Sequence, residues 1–364
     1  MDENLYILAF SNAPAVGAIT FQKLLKIFGS AEKAWKAGSN ELKKVGLGEK
    51  KYTAFDQFRK QFNVSEYIQK LKKAKVEFIA FGSKDYPESL KKLKDPPIGL
   101  FVKGNKDLLF VGQNIGVVGA RKITSYGKQV TENIVSELVR ETIVITSGMA
   151  LGVDGIAHKT AIEHKGSTIA VLGCGVDCPY PRENERLYES ILDSNGLIIS
   201  EYPLGMPANQ GTFPARNRII AGLSIAVLIT EAAEDSGSLI TADHAIKQGK
   251  TVFAIPGPIT SMMSKGALKL LKQGAKLAQS AQDILDELNI KNTQSKSGDR
   301  KKMDLPNLTK DEKKVFDVLN KEEMTMDELV RATKIPISKL STLLSEMELE
   351  GILIGSRGKF TIKS

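Results

Sequence analysis

Phe213, Arg216 and Arg218 crowd together in the stretch GLIISEYPLGMPANQGTFPARNRIIAGLS, residues 196–224. The stretch reads as a buried strand over 197–200, a long Pro/Gly loop, and a helix opening at Pro214-Ala215. Both arginines then fall in the helix's first turn. A helix N-terminus presents unpaired N–H groups and the positive end of its dipole, so it favours anions. Two guanidiniums added there repel each other unless something negative neutralises them. An aromatic ring beside such a pair suits a site that stacks bases and tracks the phosphates of single-stranded nucleic acid. The competing reading is a core Phe213 with two arginines in surface ion pairs.

Other Gly-rich segments could build the rest of a site. VVGARKITSYG holds Gly119 for a turn and Arg121 on the loop before a helix expected at Ser125. TSGMALGVDGIAHKTA offers Gly148, Gly152 and Gly155 for close backbone approach. Asp154 there could cap a helix carrying His158 and Lys159. GCGVDCPYPRENERL contributes Gly175 and places Arg182 near a helix start, and TEAAEDSGSLITADHA puts Ser236, Gly237 and Ser238 at a helix N-terminus. GCGVDC has Cys178 where a dinucleotide fingerprint needs its third glycine, and no GxxxxGK[ST] occurs. An enzyme would need a nucleophile, base or metal. His158 and His244 sit in helices beside small residues, where packing explains them. Asp154, Glu201, Glu231 and Asp243 could act as acid or base, although Asp154 and Asp243 also read as caps. Ser147 and Ser236 lack an evident triad partner.

The elements that must position these loops follow from hydrophobic periodicity. From Val76 onward, apolar runs (VEFIAFG, IGLFVKG, IGVVGAR, TIVITSG, STIAVLGCG, GLIISEY, SIAVLITEA, KTVFAIPG) alternate with amphipathic helices. Continuous Val/Ile-rich strands between helices predict a doubly wound α/β domain with a Rossmann-like parallel sheet over 76–290. In such a sheet ligands collect at the carboxyl ends of the strands, where every Gly-rich loop above falls. Residues 1–75 read as a helical module. Its Val45-Gly46-Leu47-Gly48 turn resembles a helix-hairpin-helix that could grip a DNA phosphate, although a plain αα-hairpin needs the same glycines. Residues 291–304 read as a linker. Residues 305–364 give three short helices and a hairpin, the pattern of a winged helix. Its second recognition-type helix carries Lys339 but also Glu346, Glu348 and Glu350, which argues against groove reading.

Composition narrows the classes. The 364 residues are 42% hydrophobic and 26% charged, enough to bury sizeable cores. Two cysteines, Cys174 and Cys178, make no disulfide framework and lack a second pair for a metal site. No basic leader with an apolar stretch opens the chain and no apolar run reaches membrane length, so a cytoplasmic protein is expected. The net charge of +9 is unevenly spread. Residues 111–290 carry 16 Lys and Arg against 18 Asp and Glu, so a polyanion bound there must be held by a local pocket.

Seven collinear motifs, VGARKITSYG, SGMALGVDGIAH, VLGCGVDCPYP, SEYPLG, FPARNRIIAGLS, EAAEDSGSLITADHA and IPG, resemble the bacterial DNA-processing protein A family (DprA, also called Smf). The resemblance covers residues 76–290 densely and extends to both flanks. It implies an extended Rossmann domain that dimerises, without established catalysis, cofactor or metal. It further implies a single-stranded-DNA-binding protein of natural transformation that protects incoming strands and loads the RecA recombinase. By motif, DNA contacts carry over to Arg121 in GxR and to Phe213, Arg216, Asn217 and Arg218 in FPxRNR, with Lys159 as a further cation. Gly119, Gly148, Gly152, Gly175, Ser236 and Gly237 would cradle phosphates. Some members have a basic residue three positions before the phenylalanine; Gln210 stands there in this chain. Phosphoribohydrolases of the nucleotide-binding Rossmann group are the runner-up. SGSLITADHA lacks the paired glycines and catalytic glutamate of their PGGxGTxxE loop.

Overall fold

The continuous apolar runs become the centre of one sheet. A computed structural model describes residues 2–14, 16–290, 308–319, 323–350, 352–356 and 358–362, and the linker expected over 291–304 lies outside them. The chain divides into two units, Met1–Thr293 and Gln294–Ser364.

In the first unit nine strands among the described residues form one sheet: β1 (Glu77–Ala80), β2 (Gly99–Gly104), β3 (Asn114–Val118), β4 (Val144–Ser147), β5 (Thr168–Val171), β6 (Leu197–Ser200), β7 (Ala226–Ile229), β8 (Thr251–Ala254) and β9 (Lys276–Leu277). Their order is β1-β2-β6-β5-β4-β3-β7-β8-β9. Strands β3 to β9 pair in parallel, while β2 joins β6 and β1 joins β2 antiparallel. The expected parallel sheet therefore carries an antiparallel edge. β4, β5, β6 and β7 are buried at every position, as strands covered on both faces must be.

Alternation sends successive side chains to opposite faces. Val227 and Ile229 pack in one core with Ile219 and Ile220 of the Thr212–Leu223 helix and Ala242 of the Ser238–Lys247 helix. Ala226 and Leu228 point the other way, to Ile134 and Leu138 of the Ser125–Arg140 helix and Ala157 of the Val153–Glu163 helix. Removing a side chain such as Leu138 would cost about 2–5 kcal/mol. Lys250 pins the far end of the Thr212–Leu223 helix: its Nζ donates to the carbonyls of Ala221 and Gly222 at 2.6 and 2.7 Å, and to that of Ser224. Cations suit a helix C-terminus, where the last carbonyls lack partners.

Six helices between Glu3 and Lys73 build a second core. Phe10 and Phe55 stack at 5.5 Å, and Trp35 meets both rings edge-on. Ala80 and Ile98 also join this core, so the helical module shares packing with the β1 edge. Gly46, at φ 87°, makes the turn between the Ser39–Lys44 and Glu49–Gln61 helices. The second unit holds helices Lys310–Leu319, Met326–Thr333 and Ile337–Leu349. Its three-stranded sheet is ordered β10 (Met324–Thr325), β12 (Lys359–Ile362) and β11 (Leu353–Ser356), a winged-helix arrangement over its own core. No helix among the described residues is long and apolar enough to cross a membrane.

Candidate functional site

The chain leaves β3 in one direction to build β4, β5 and β6, and later returns to lay β7 on its other side. That reversal opens a crevice at the strand ends, where open α/β sheets hold ligands. Two backbone bonds join the loops there: Ala120 N–H donates to Glu231 O at 2.7 Å, and Val153 N–H to Ala120 O at 3.1 Å. So close an approach requires Gly119, whose Cβ would lie 2.5 Å from Val153 and 2.7 Å from Glu231 O. Gly152, at φ 76°, similarly clears the Ala120 carbonyl. The buried Glu231 carboxylate accepts from Thr124 N–H at 2.9 Å and from its hydroxyl at 2.7 Å, holding the start of the Ser125–Arg140 helix. Gly127 leaves the room that this carboxylate occupies. Glu231 thus braces the Arg121 loop and leaves Arg121 and Lys122 exposed.

A cavity of about 690 Å³ lies over these loops, lined by Gly119, Arg121, Phe213, Arg216, Asn217, Ser236 and Gly237 among others. At its mouth the Arg121 guanidinium sits over the Phe213 ring, 5.3 Å from the centroid, and the Tyr180 ring lies 5.3 Å away on a 33° tilt. Aromatic and cation–π contacts of this kind fix flat surfaces of the sort bases stack on. Phe213 is anchored close to Gly173, whose Cβ would come within 3.0 Å of the ring. Sequence reasoning missed Tyr180. Its only signal was an aromatic between prolines in CPYP, just after a strand-end glycine.

Arg216 forms the floor. It is 4% exposed. Its Nη1 donates to Gly148 O at 2.5 Å and to Val171 O, and its Nε to Asn217 Oδ1 at 3.2 Å. Asn217 Nδ2 in turn donates to Gly237 O at 3.3 Å, which ties this helix to the turn before the next one. A Cβ on Gly148 would collide with the guanidinium, so glycine is needed there. Burial pulls the Arg216 pKa down, against the charge of Asp154. Burial pushes the Asp154 carboxyl up, against the charge of Arg216. Asp154 lies in the first turn of its helix and accepts from Gly148 N–H at 3.1 Å, so it holds the neighbouring loop where a cap was expected. Behind it His158 is fully buried, with Nδ1 2.7 Å from the Thr168 hydroxyl, and desolvation lowers its pKa to about 3.

Five residues expected in the site do not line this cavity: Gly148 and Gly152, which shape the loops beside it, and Arg218, Lys159 and Gly175. The Thr212–Leu223 helix starts two residues before Pro214, and because residues two apart on a helix point to nearly opposite sides, Arg218 faces away from the pocket that Arg216 lines. There Arg218 is gripped by Glu201 at 2.5 and 2.7 Å and by Asp95 at 3.0 Å. Burial works against its charge, but the Glu201 bonds and the two carboxylates outweigh it and hold the pKa above the ordinary arginine value. This pairing ties the helix to Glu201 and Asp95. Lys159 is exposed on its helix and pairs with Glu163 at 3.6 Å. Gly175 is buried against Asp177 and the Pro203 carbonyl, a tight turn away from the cavity. Gln210 does line the cavity, where a basic residue would have added charge. No cluster of three metal-ligating side chains occurs among the described residues.

Comparison with known proteins agrees with this fold. Residues 77–289 match the family described as DNA recombination-mediator protein A, and residues 299–354 match the DprA winged helix domain. DNA processing protein DprA of Bacillus subtilis is 44% identical over 219 residues, 60% of this chain and 73% of that protein. Protein Smf of Synechocystis is 33% identical over 384 aligned residues, 96% of each chain. The structure of DNA processing protein A from Streptococcus pneumoniae superposes with a TM-score of 0.69 at 34% identity, over 78% of this chain and 97% of that one. A Helicobacter pylori structure, described for its single-stranded DNA binding mode, gives 0.53 at 34% identity, over 58% and 96%. A match spanning the whole sheet and its loops, with a relative alike from end to end, means that the chain belongs to the DNA recombination-mediator protein A family, whose members are named DprA or Smf.

Proposed function

We propose that this protein binds single-stranded DNA in the strand-end cavity, protects strands taken up in natural transformation and loads the RecA recombinase onto them, acting as a homodimer. The observation that carries the binding step is the Arg121–Phe213–Tyr180 cluster at the mouth of a cavity floored by Arg216. Exposed cations hold phosphates, and rings hold bases only when those bases are unpaired, at about 1–3 kcal/mol per base. The Helicobacter pylori neighbour supports the same reading. Recombinase loading rests on the family description alone.

The site reads as a binding surface. Two carboxylates that could have served as acid or base, Glu201 and Glu231, are engaged by Arg218 and Thr124. The winged helix reads as an accessory, since Lys339 on its recognition-type helix is paired with Asp311 at 2.6 Å. Titration with matched single- and double-stranded oligonucleotides at one salt concentration tests the proposal. Tighter binding of the single strand is expected, and equal or tighter duplex binding would refute it. Release of ribose phosphate from a nucleoside monophosphate would favour the enzyme alternative.

A further inference from the structure

A narrow recess of about 60 Å³ lies beneath Tyr180 and Phe213, lined also by Arg121, Gly148 and Arg216. It can hold a small oxyanion beside the two guanidiniums and is far smaller than the main cavity. Its lining includes two guanidiniums and no carboxylate. The charge of Asp154 favours Arg216, but among the described residues no carboxylate bonds it, and its Nη2 has no protein hydrogen-bond partner there, while Nη1 and Nε are fully used. A buried cation is costly unless something pairs with it. Two residues along the same helix, Arg218 shows how this fold treats a structural arginine, with carboxylates on both sides.

The charge of the recess selects the anion. An internal phosphodiester carries one negative charge and is flanked by a sugar on each side. A phosphomonoester carries nearly two charges above its second pKa of about 6 and leaves through a single ester oxygen. We propose that the recess is a phosphomonoester site, which receives the phosphorylated end of a single strand, or the same group on a free nucleotide. Arg121 and Arg216 are its cationic ligands, and the attached base lies against Tyr180. The strand-end form of this site rests on the single-strand reading above, with the following nucleotides running through the wider cavity.

Titrations of the full chain with oligothymidylates of one length, differing only in their ends, test it. The four substrates carry a 5′-phosphate, a 3′-phosphate, hydroxyls at both ends, or no end at all in a circle. A phosphorylated end should tighten binding about tenfold, or ~1.4 kcal/mol. That gain should shrink below pH ~6, where the monoester takes up its second proton, and Arg216→Gln should remove it. A gain confined to one end supports the site and sets the strand's polarity. Equal affinity for all four substrates overturns the site while leaving single-strand binding intact; failure of every strand to bind overturns that reading instead. Since a variant at a buried arginine could unfold, the unaltered chain is also tested by thermal shift with thymidine 5′-monophosphate against thymidine. Stabilisation by the monophosphate alone supports the site, and an equal effect of the two, or no effect, overturns it.

Discussion

Arg216 and Arg218 stand two residues apart on one helix and are equally buried, at 4% exposure each. One faces the cavity, bonded only to two carbonyls and an amide oxygen. The other faces the β1–β2 side of the sheet, clasped by Glu201 and Asp95. Residue type and burial are the same; the partners differ, and the partners decide the role. A charge clasped directly by carboxylates holds the fold together, and a charge that no carboxylate bonds is available to a ligand.

The largest expected effect lies on the Arg218 side. Arg218→Ala leaves the Glu201 carboxylate, 13% exposed, unpaired and should cost about 3 kcal/mol in denaturant unfolding. Pairing Arg218→Met with Glu201→Leu should recover most of that loss, because the pair is then replaced by apolar packing. A small loss in the single variant would mean that Arg218 is free to serve the ligand after all. On the cavity side, Tyr180→Ala or Phe213→Ala should weaken single-strand affinity by about 1–3 kcal/mol with little change in duplex affinity, measured by anisotropy. An equal loss for both substrates would remove stacking from the explanation.

The polar layer beneath Arg216 gives an effect that varies with pH. His158 ordinarily titrates near 6.5 and is held at about 3 in the fold. Its folded pKa is depressed, so its full contribution is present above pH 6.5, where both states are neutral. Below that, the unfolded chain takes up a proton that the folded chain refuses. Stability should fall by about 1.4 kcal/mol per pH unit down to about pH 3. The difference in slope between the parent and His158→Asn isolates this residue, and parallel slopes would contradict it. The smallest effect is expected from the second unit. A chain stopped after Ile290 should fold and lose less than about tenfold in single-strand affinity, ~1.4 kcal/mol. A larger loss would bring the winged helix into the main site.

Much of this was legible in the sequence, for physical reasons. Parallel strands buried on both faces need unbroken runs such as IAVLI, and tight strand-end loops need glycines such as Gly119 and Gly152, so fold and crevice could be read directly. That Phe213, Arg121 and Arg216 meet at the strand ends was legible because their loops follow strands of one parallel sheet. The pairing of Arg218 was not legible because its partners are set by the fold: Asp95 lies 123 residues back, and Glu201, 17 residues back, meets it across a loop with no spacing that marks the pair. Tyr180 was overlooked because a lone aromatic between prolines carries no periodicity. The edge strand β9 is two residues long, too short to show any pattern.

If the cavity, rather than overall basicity, holds the strand, then the salt dependence of binding should change at Arg121 and nowhere in the lysine-rich hairpin. The most direct measurement is the slope of log affinity against log salt for a single strand, in the parent chain, in Arg121→Ala and in a Lys50→Ala/Lys51→Ala variant. Loss of one phosphate contact lowers the slope by roughly 0.7 for single strands. That reduction is expected in Arg121→Ala alone, together with the greater loss of affinity. An unchanged slope in Arg121→Ala, or an equal change in the lysine variant, would contradict a pocket-held strand.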